Sequence, residues 1–268
     1  MRRRLPIPLV LLVLALGLVL DLQDGRADDV AAAAPPAVAA ASEGHGSADP
    51  LEPFNRAMFT FNDGFDTYVL RPVATGWDFV MPRPVENAFS RFFENLRFPI
   101  RFANTLLQGR IDPAAITLCR FLVNSSFGLV GFFDVATDMG LPRQYGDFGQ
   151  TLGIWGFPGG PYIVWPIFGP SNPRDTVGLV ADSYLAVGGF FIDWYYLAAA
   201  RAVDTVNSRA LALEEIDRAR EASFDFYTAV RAAYLERRRS LIEGAKPASQ
   251  GEELDLYFPD YSDQSVVP

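Results

Sequence analysis

Between residues 49 and 244, prolines and glycines cut the chain into short segments, most of which repeat their apolar residues every three or four positions. That period puts the apolar residues on one face of a helix, so the expected fold class is mainly α. In 54–68, Phe54, Met58, Phe61 and Phe65 share a stripe with Asn55, Asn62 and Asp66 off it, and Arg71-Pro72 is expected to end the helix. Pro84 opens a second segment, with Phe89, Phe92, Phe93 and Leu96 in helical register. Pro99 breaks that one, 101–108 follows as a short helix with Gly109 just past its end, and Asp112-Pro113 opens the next with Asp112 as its cap. The segment 150–168 differs. Two β-prone runs flank Gly156-Phe157-Pro158-Gly159-Gly160, which reads as a hairpin loop.

The stretch 174–201 is helical and apolar nearly all round, but Asp182, Asp193 and the Gly188-Gly189 break argue against a simple bilayer span. The residues 211–242 read as one long amphipathic helix with an arginine-rich end. Glu214, Glu215, Asp217, Arg218, Arg220 and Glu221 form its solvated face. No repeat of 20–50 residues is visible.

Composition narrows the chemistry. Half of the 268 residues are hydrophobic and 13% aromatic, yet the formal net charge is -9. Such a chain carries apolar surface that something other than water must cover, and it lacks the clustered cations of a nucleic-acid binder. The single cysteine, Cys119, lies in the apolar run 116–123; it excludes an intrachain disulfide and reads as a small buried hydrophobe. The single histidine, His45, falls in a Gly/Ser/Ala stretch outside the expected folded domain. Ser-His-Asp and Cys-His catalysis and histidine-rich metal sites therefore lack their central residue. There is no Walker loop, dinucleotide fingerprint or metal-ligand cluster, so no cofactor or metal is expected.

The ends read separately. Arg2-Arg3-Arg4 before the apolar run 5–20 fits a secretory signal over 1–27, cut near Gly25-Arg26-Ala27 or further on, with an uncleaved anchor as the rival reading. Residues 28–48 have the composition of a disordered linker, 49–244 form the working domain, and 245–268 form an acidic flexible tail.

Read in order, Asp49-Pro50-Leu51-Glu52, Phe54-Asn55-Arg56, Met58, Phe61-Asn62, Asp66 and Arg71-Pro72-Val73-Ala74 resemble the opening signature of the MlaA (VacJ) family. The similarity continues through Asn95-Leu96, Asn104, Leu107-Gln108-Gly109, Arg120-Phe121, Asn124, Gly128, Gly131 and Asp134. Its densest part is Phe148-Gly149-Gln150-Thr151-Leu152-Gly153 with Gly156, Gly160-Pro161-Tyr162, Pro166, Gly169-Pro170 and Arg174-Asp175. Ser223, Asp225, Tyr227, Arg231 and Tyr234 complete it.

The resemblance implies a compact ring of short amphipathic and apolar helices with one short hairpin-like loop, lying monotopically in the inner leaflet of the outer membrane. It implies no enzyme. The implied activity is removal of mislocalised phospholipid from the outer leaflet through an amphipathic channel. The implied partners are phospholipid, a trimeric porin of the outer membrane and a soluble periplasmic lipid carrier of the Mla system, with no nucleic acid. Two features depart from the family pattern. No cysteine precedes Cys119, where relatives carry an acylated one, so no lipidation site is expected. Anchoring then falls to the apolar belt, to an uncleaved signal, or to a different start of the chain. The second is Pro158, which stands where relatives often carry glycine.

Gly153, Gly156, Gly159 and Gly160 are candidates for a hinge that admits lipid, with a fixed turn as the alternative. Asn62, Asn124, Arg174, Asp175 and Asp182 are candidates for the channel wall or a path for a phosphate headgroup. For Arg174, Asp175 and Asp182 the plainer reading is helix capping and an intrahelical pair. Asn55, Asn62, Asn104 and Asn124 either face the channel or hold helix ends. Trp155, Trp165, Trp194, Tyr195 and Tyr196 divide between an interfacial belt and the core. A soluble lipid carrier is the alternative function; a lipid esterase at Ser125-Ser126 and Asp134 is a weaker one, lacking both histidine and a nucleophile elbow.

Overall fold

Prolines mark five of the helix starts, because their missing N–H falls where a helix has no internal acceptor. Pro53, Pro72, Pro84, Pro99 and Pro173 all occupy first turns. The computed structural model describes residues 49–186 and 193–245. The expected signal, the linker with His45, the Gly188-Gly189 break and all of the acidic tail but Ala245 lie outside those residues.

The chain begins with α1 (Glu52–Phe65) and α2 (Arg71–Val80), joined by a π-helical turn over Asp66–Leu70. Helix therefore runs through Arg71-Pro72, where it was expected to stop. Pro72 has no N–H and its ring would press on the carbonyl one turn back. The wider π turn, closed by Arg71 N–H donating to the Asp66 carbonyl, absorbs that misfit. Next come α3 (Arg83–Leu96) and α4 (Phe98–Leu107), the latter ending at Gly109 with φ +73°. In α5 (Ile111–Ser126) the cap position is Arg110, without a side-chain bond, so Asp112 sits inside the first turn rather than capping it.

After α6 (Val135–Asp138), the region expected to be a hairpin is first a helix, α7 (Phe148–Ile154). Asp147 caps it by accepting from Gln150 N at 2.6 Å. It ends in a Schellman closure: Gly156 N–H donates to Gly153 O and Phe157 N–H to Leu152 O, with Gly156 at φ +93°. The hairpin lies later, β1 (Ile163–Trp165) against β2 (Gly169–Ser171), antiparallel with Val164 opposite Pro170. Then follow α8 (Pro173–Leu185), α9 (Trp194–Leu211), α10 (Leu213–Ala222) and α11 (Phe226–Glu243). The expected single helix over 211–242 is thus two. Asp225 breaks it by capping α11, accepting from Tyr227 N at 3.1 Å while its carboxylate also holds Arg56. The charge run on α10 is partly tertiary, since Arg220 pairs with Asp63 at 2.7 Å and Asp217 with Arg71 at 2.7 Å.

Contacts between elements close a circuit: α1 to the hairpin, the hairpin to α11, then α7, α4, α3, α9, α2 and through the π turn back to α1. The expected ring is present as this cycle, with α8 packed on α4 and α7. The α7–α8 crossing is glycine on glycine, because a Cβ at Gly178 would stand 2.2 Å from Gly149 N.

Burial is inverted relative to a water-soluble protein. Asn55, Glu86, Asn104, Thr105, Thr151 and Asn207 are completely buried, whereas Phe79 is 90%, Tyr68 82% and Phe127 77% exposed. The apolar core proper is small: Tyr162, Val164, Tyr227 and Tyr234, with Met58 and Phe59 against it. The α1 stripe does not point inward as a unit, for Phe54 and Phe61 are exposed while Asn55 and Asn62 are buried. Cys119, expected to be buried, is exposed, because α5 turns Ala114, Thr117 and Asn124 inward and Leu118 and Leu122 outward. Among the described residues no helix is long and apolar enough to cross a membrane.

Candidate functional site: polar junctions and two cavities

The ring is closed by side-chain amides and ions rather than by apolar packing. Asn55 accepts from Val164 N at 2.8 Å and donates to Tyr162 O at 2.9 Å. Asn62 repeats the pattern on Ile167 N and Trp165 O. Two helical turns span about 10.5 Å and three strand residues about 10 Å, so asparagines seven apart on α1 match carbonyls three apart on the hairpin. Each amide thereby substitutes for a missing neighbouring strand.

Opposite, α4 meets α7 and α8 through Asn104, which donates to Asp182 at 2.8 Å and accepts from Thr151 Oγ1 at 3.0 Å. Asp182 also takes Phe148 N at 2.9 Å and Thr151 takes Gln108 Nε2 at 3.0 Å. Where α7, α8 and α11 converge, Arg238 pairs with Asp147 at 2.6 Å and Asp175 at 2.9 Å, and Arg174 with Asp175 at 2.9 Å. Tyr234 donates to Asp175 at 2.6 Å and Asn172 caps α8 through Asp175 N at 2.8 Å. Burial by itself would raise the Asp175 carboxyl; the charge of Arg238 and bonds from Arg174 and Tyr234 outweigh it and hold it low. Burial next to Asp175 pushes the Tyr234 hydroxyl well up, so it remains a donor.

The circuit closes at α9. Asn207 donates to Glu86 O at 2.9 Å and accepts Trp77 Nε1 at 3.1 Å, while Arg97 pairs with Asp204 at 2.6 Å.

Two cavities share no lining residue. One is a polar recess among α3, α4 and α5, with Asn124 and Asp134 in its wall. Asn124 donates to Asp134 at 3.0 Å and accepts Ala136 N at 2.9 Å. The other, about 850 Å³ with its open mouth, lies between α1, α9, α10 and α11. It is lined by Phe59, Phe65, Ile216, Phe226 and Val230, with the ion pairs Arg209–Asp66 at 2.8 Å and Arg220–Asp63 at 2.7 Å in its wall.

The residues singled out in the sequence are therefore dispersed. Gly153 lies against Arg174, whose guanidinium a Cβ would meet at 3.0 Å; Gly160 turns at φ +77° beside Pro173, and Gly156 faces open space. Asp182 joins Asn104, Asn62 holds the hairpin and Asn124 lines the polar recess. Trp155, Tyr195 and Tyr196 are exposed, Trp165 is half-buried and donates to Thr176, and the side chain of Trp194 lies outside the described residues. Ser125 Oγ accepts from Asn95 rather than meeting Asp134. Sequence reading missed Arg91 and Arg101 as parts of the polar recess and the role of Asn207; Asn95 and Arg120 were visible only as pieces of a family motif.

With this geometry in hand, similarity to known proteins is extensive. The profile of the MlaA lipoprotein family matches residues 47–241. The intermembrane phospholipid transport system lipoprotein MlaA of Haemophilus influenzae is 34% identical over 211 residues, 77% of this chain and 84% of the relative. Its Escherichia coli K12 namesake is 35% identical over 206 residues, 75% and 81% of the two chains. An uncharacterized protein of Rickettsia felis is 34% identical over 196 residues, 73% and 78%. A solved structure described as the structural basis for maintenance of bacterial outer membrane lipid asymmetry superimposes with TM-score 0.65 at 36% identity, covering 73% of this chain and 99% of that one.

Proposed function

Because the chain belongs to the MlaA lipoprotein family, a family of transport lipoproteins, we propose that it moves phospholipid between membranes and so maintains outer-membrane lipid asymmetry. The observation that carries this reading is the inverted burial: amides and ion pairs are buried at the junctions of a closed circuit of helices, while Phe79, Tyr68 and Phe127 are exposed. Exposed apolar side chains suit hydrocarbon, and a phospholipid needs a sheltered path for its headgroup, since dragging a polar group through lipid unaided costs roughly 2–7 kcal/mol per unpaired group. The cycle lies in the periplasmic leaflet of the outer membrane, with the apolar belt as its anchor. Phospholipid passes to a soluble periplasmic carrier, and a trimeric porin holds the protein in place. No covalent step is involved, and direction comes from the partners downstream.

The segment 153–160, with Gly153, Gly156, Gly159 and Gly160, serves as the hinge of the passage. It leaves α7, whose Thr151 and Gln150 hold α4 and α11, so a change of φ there moves a helix that is tied on two sides. Deleting the protein should raise phospholipid in the outer leaflet and increase detergent sensitivity. An unchanged leaflet distribution in a clean deletion removes the transport reading. Quantitative release of the protein as a soluble monomer by high salt favours the carrier reading instead.

A further inference from the structure

The recess between α3, α4 and α5 holds more positive charge than the fold consumes. It encloses about 440 Å³ with its mouth, and its wall includes Arg91, Arg101, Arg120 and Gln144. Phe98 and Phe121, stacked with ring centroids 4.1 Å apart, supply its flat apolar part. Glu94 pairs with Arg101 and with Arg143, each at 3.3 Å. Asp134 pairs with Arg120 at 2.8 Å and with Arg143 at 3.0 Å. The wall thus carries three guanidinium groups, those of Arg91, Arg101 and Arg120, against two carboxylates, and Arg143, outside the wall, pairs with both carboxylates. With Arg143 counted, the cluster around the recess has an excess of two positive charges in a chain whose formal net charge is -9.

The excess is permanent. Arginine stays charged at any physiological pH. Burial would raise the Asp134 carboxyl, but bonds from Thr137, Asn124 and Arg143 and the charge of Arg120 hold it low, so the carboxylate does not change the balance by protonation. Arg91 is exposed at the mouth and has no hydrogen-bond or ion-pair partner among the described residues. A planar guanidinium fork without a carboxylate, at the edge of a concave site with surplus positive charge, matches a phosphate oxyanion. The stacked rings beside it match the carbon skeleton to which such a phosphate is esterified.

We propose that this recess binds the phosphate diester of a glycerophospholipid headgroup, with Arg91 supplying the free fork and Gln144 an additional amide donor. The inference rests on the phospholipid-transport reading and assigns the headgroup to the polar recess rather than to the apolar cavity between α1, α9, α10 and α11. A free phosphate ion presents the same oxyanion, and the test separates the two sources.

The full chain in non-ionic detergent is titrated by calorimetry with dihexanoylphosphatidylglycerol and, in a parallel series, with inorganic phosphate. Wild type is compared with Arg91→Gln and with Arg218→Gln, the latter removing an exposed charge on α10. The expected result is lipid affinity weakened at least about tenfold by Arg91→Gln, unchanged by Arg218→Gln, and an unchanged thermal unfolding midpoint for both. Wild-type binding of inorganic phosphate as tight as that of the lipid overturns the headgroup assignment. Equal lipid affinity in wild type and Arg91→Gln overturns the recess while leaving phospholipid transport intact. No lipid binding by wild type removes the transport reading and the subsite with it.

Discussion

Two arginine clusters in this molecule have opposite balances. At the junction of α7, α8 and α11, Arg174 and Arg238 face Asp147 and Asp175, charge for charge, with Tyr234 and Asn172 completing the bonds. Around the recess of α3, α4 and α5, four arginines, three in its wall and Arg143 beside it, accompany two carboxylates, and Arg91 pairs with neither. A cluster whose charges cancel among themselves is a fastening, and the fold loses by disturbing it. A cluster with surplus charge at an open mouth contributes less to the fold and leaves binding capacity for something from outside. The distinction predicts a graded series of effects.

The largest belongs to the balanced cluster. Arg238→Ala strips Asp147 and Asp175 of a shared cation at a buried junction, and should destabilise by about 3–5 kcal/mol. Unfolding in detergent followed by circular dichroism should show a strongly lowered midpoint, with scarce protein in cells. A midpoint within a degree or two of wild type would mean that the junction does not depend on this fastening.

Within the recess, the paired half should behave like the fastening and be sensitive to acid. Asp134 ionises more readily in the folded protein than in the unfolded chain, so its contribution is complete above the unfolded carboxyl value and fades as pH falls below about 4. Asp134→Asn should therefore cost about 1.5–3 kcal/mol at neutral pH, with the gap to wild type narrowing under acid. Urea unfolding of both proteins at neutral and acid pH measures it; a gap that widens under acid reverses the assigned role.

How much of this was legible in the sequence follows from what periodicity can encode. Pro84, Pro99 and Gly109 marked real boundaries because their constraints are local. A helical stripe says which residues share a face but not whether core or lipid lies against that face. Phe54 and Phe61 therefore proved exposed, and Cys119 followed the outward face of α5. The early part of 150–168 was misread because α7 is held by distant partners: Asn104 takes Thr151 and Leu241 O takes Gln150. Asn55 and Asn62 could be seen at their spacing of seven, but the carbonyls they serve lie more than a hundred residues away. The surplus charge of the recess was invisible for the same reason, since Arg91, Arg101 and Arg120 sit on three different helices.

The glycine exit of α7 provides a smaller effect on the balanced side. A Cβ at Gly156 meets nothing within 4 Å, so Gly156→Ala should suffer only the backbone cost of φ +93°, about 1–2 kcal/mol. Gly156→Pro is harsher, because proline requires φ near -65° and removes the N–H that donates to Gly153 O. A hinge loses transport in Gly156→Ala at near-normal abundance. A fixed turn loses a little stability and keeps transport, so abundance and barrier function measured together decide between them.

The smallest stability effect should come from Arg91. Its guanidinium has no partner among the described residues, so Arg91→Gln should change folding stability by less than about 0.5 kcal/mol. It also removes one of four mutually repelling charges, which tilts the small remainder toward stabilisation. Arg120 lies in the same recess and is engaged by Asp134 at 2.8 Å, Thr137 Oγ1 and the Leu141 carbonyl, so Arg120→Gln should be clearly destabilising. Thermal unfolding of the two variants side by side tests the division of labour inside one site. If Arg91→Gln unfolds as readily as Arg120→Gln, Arg91 belongs to the fastening after all, and the contrast between a balanced and an open cluster collapses.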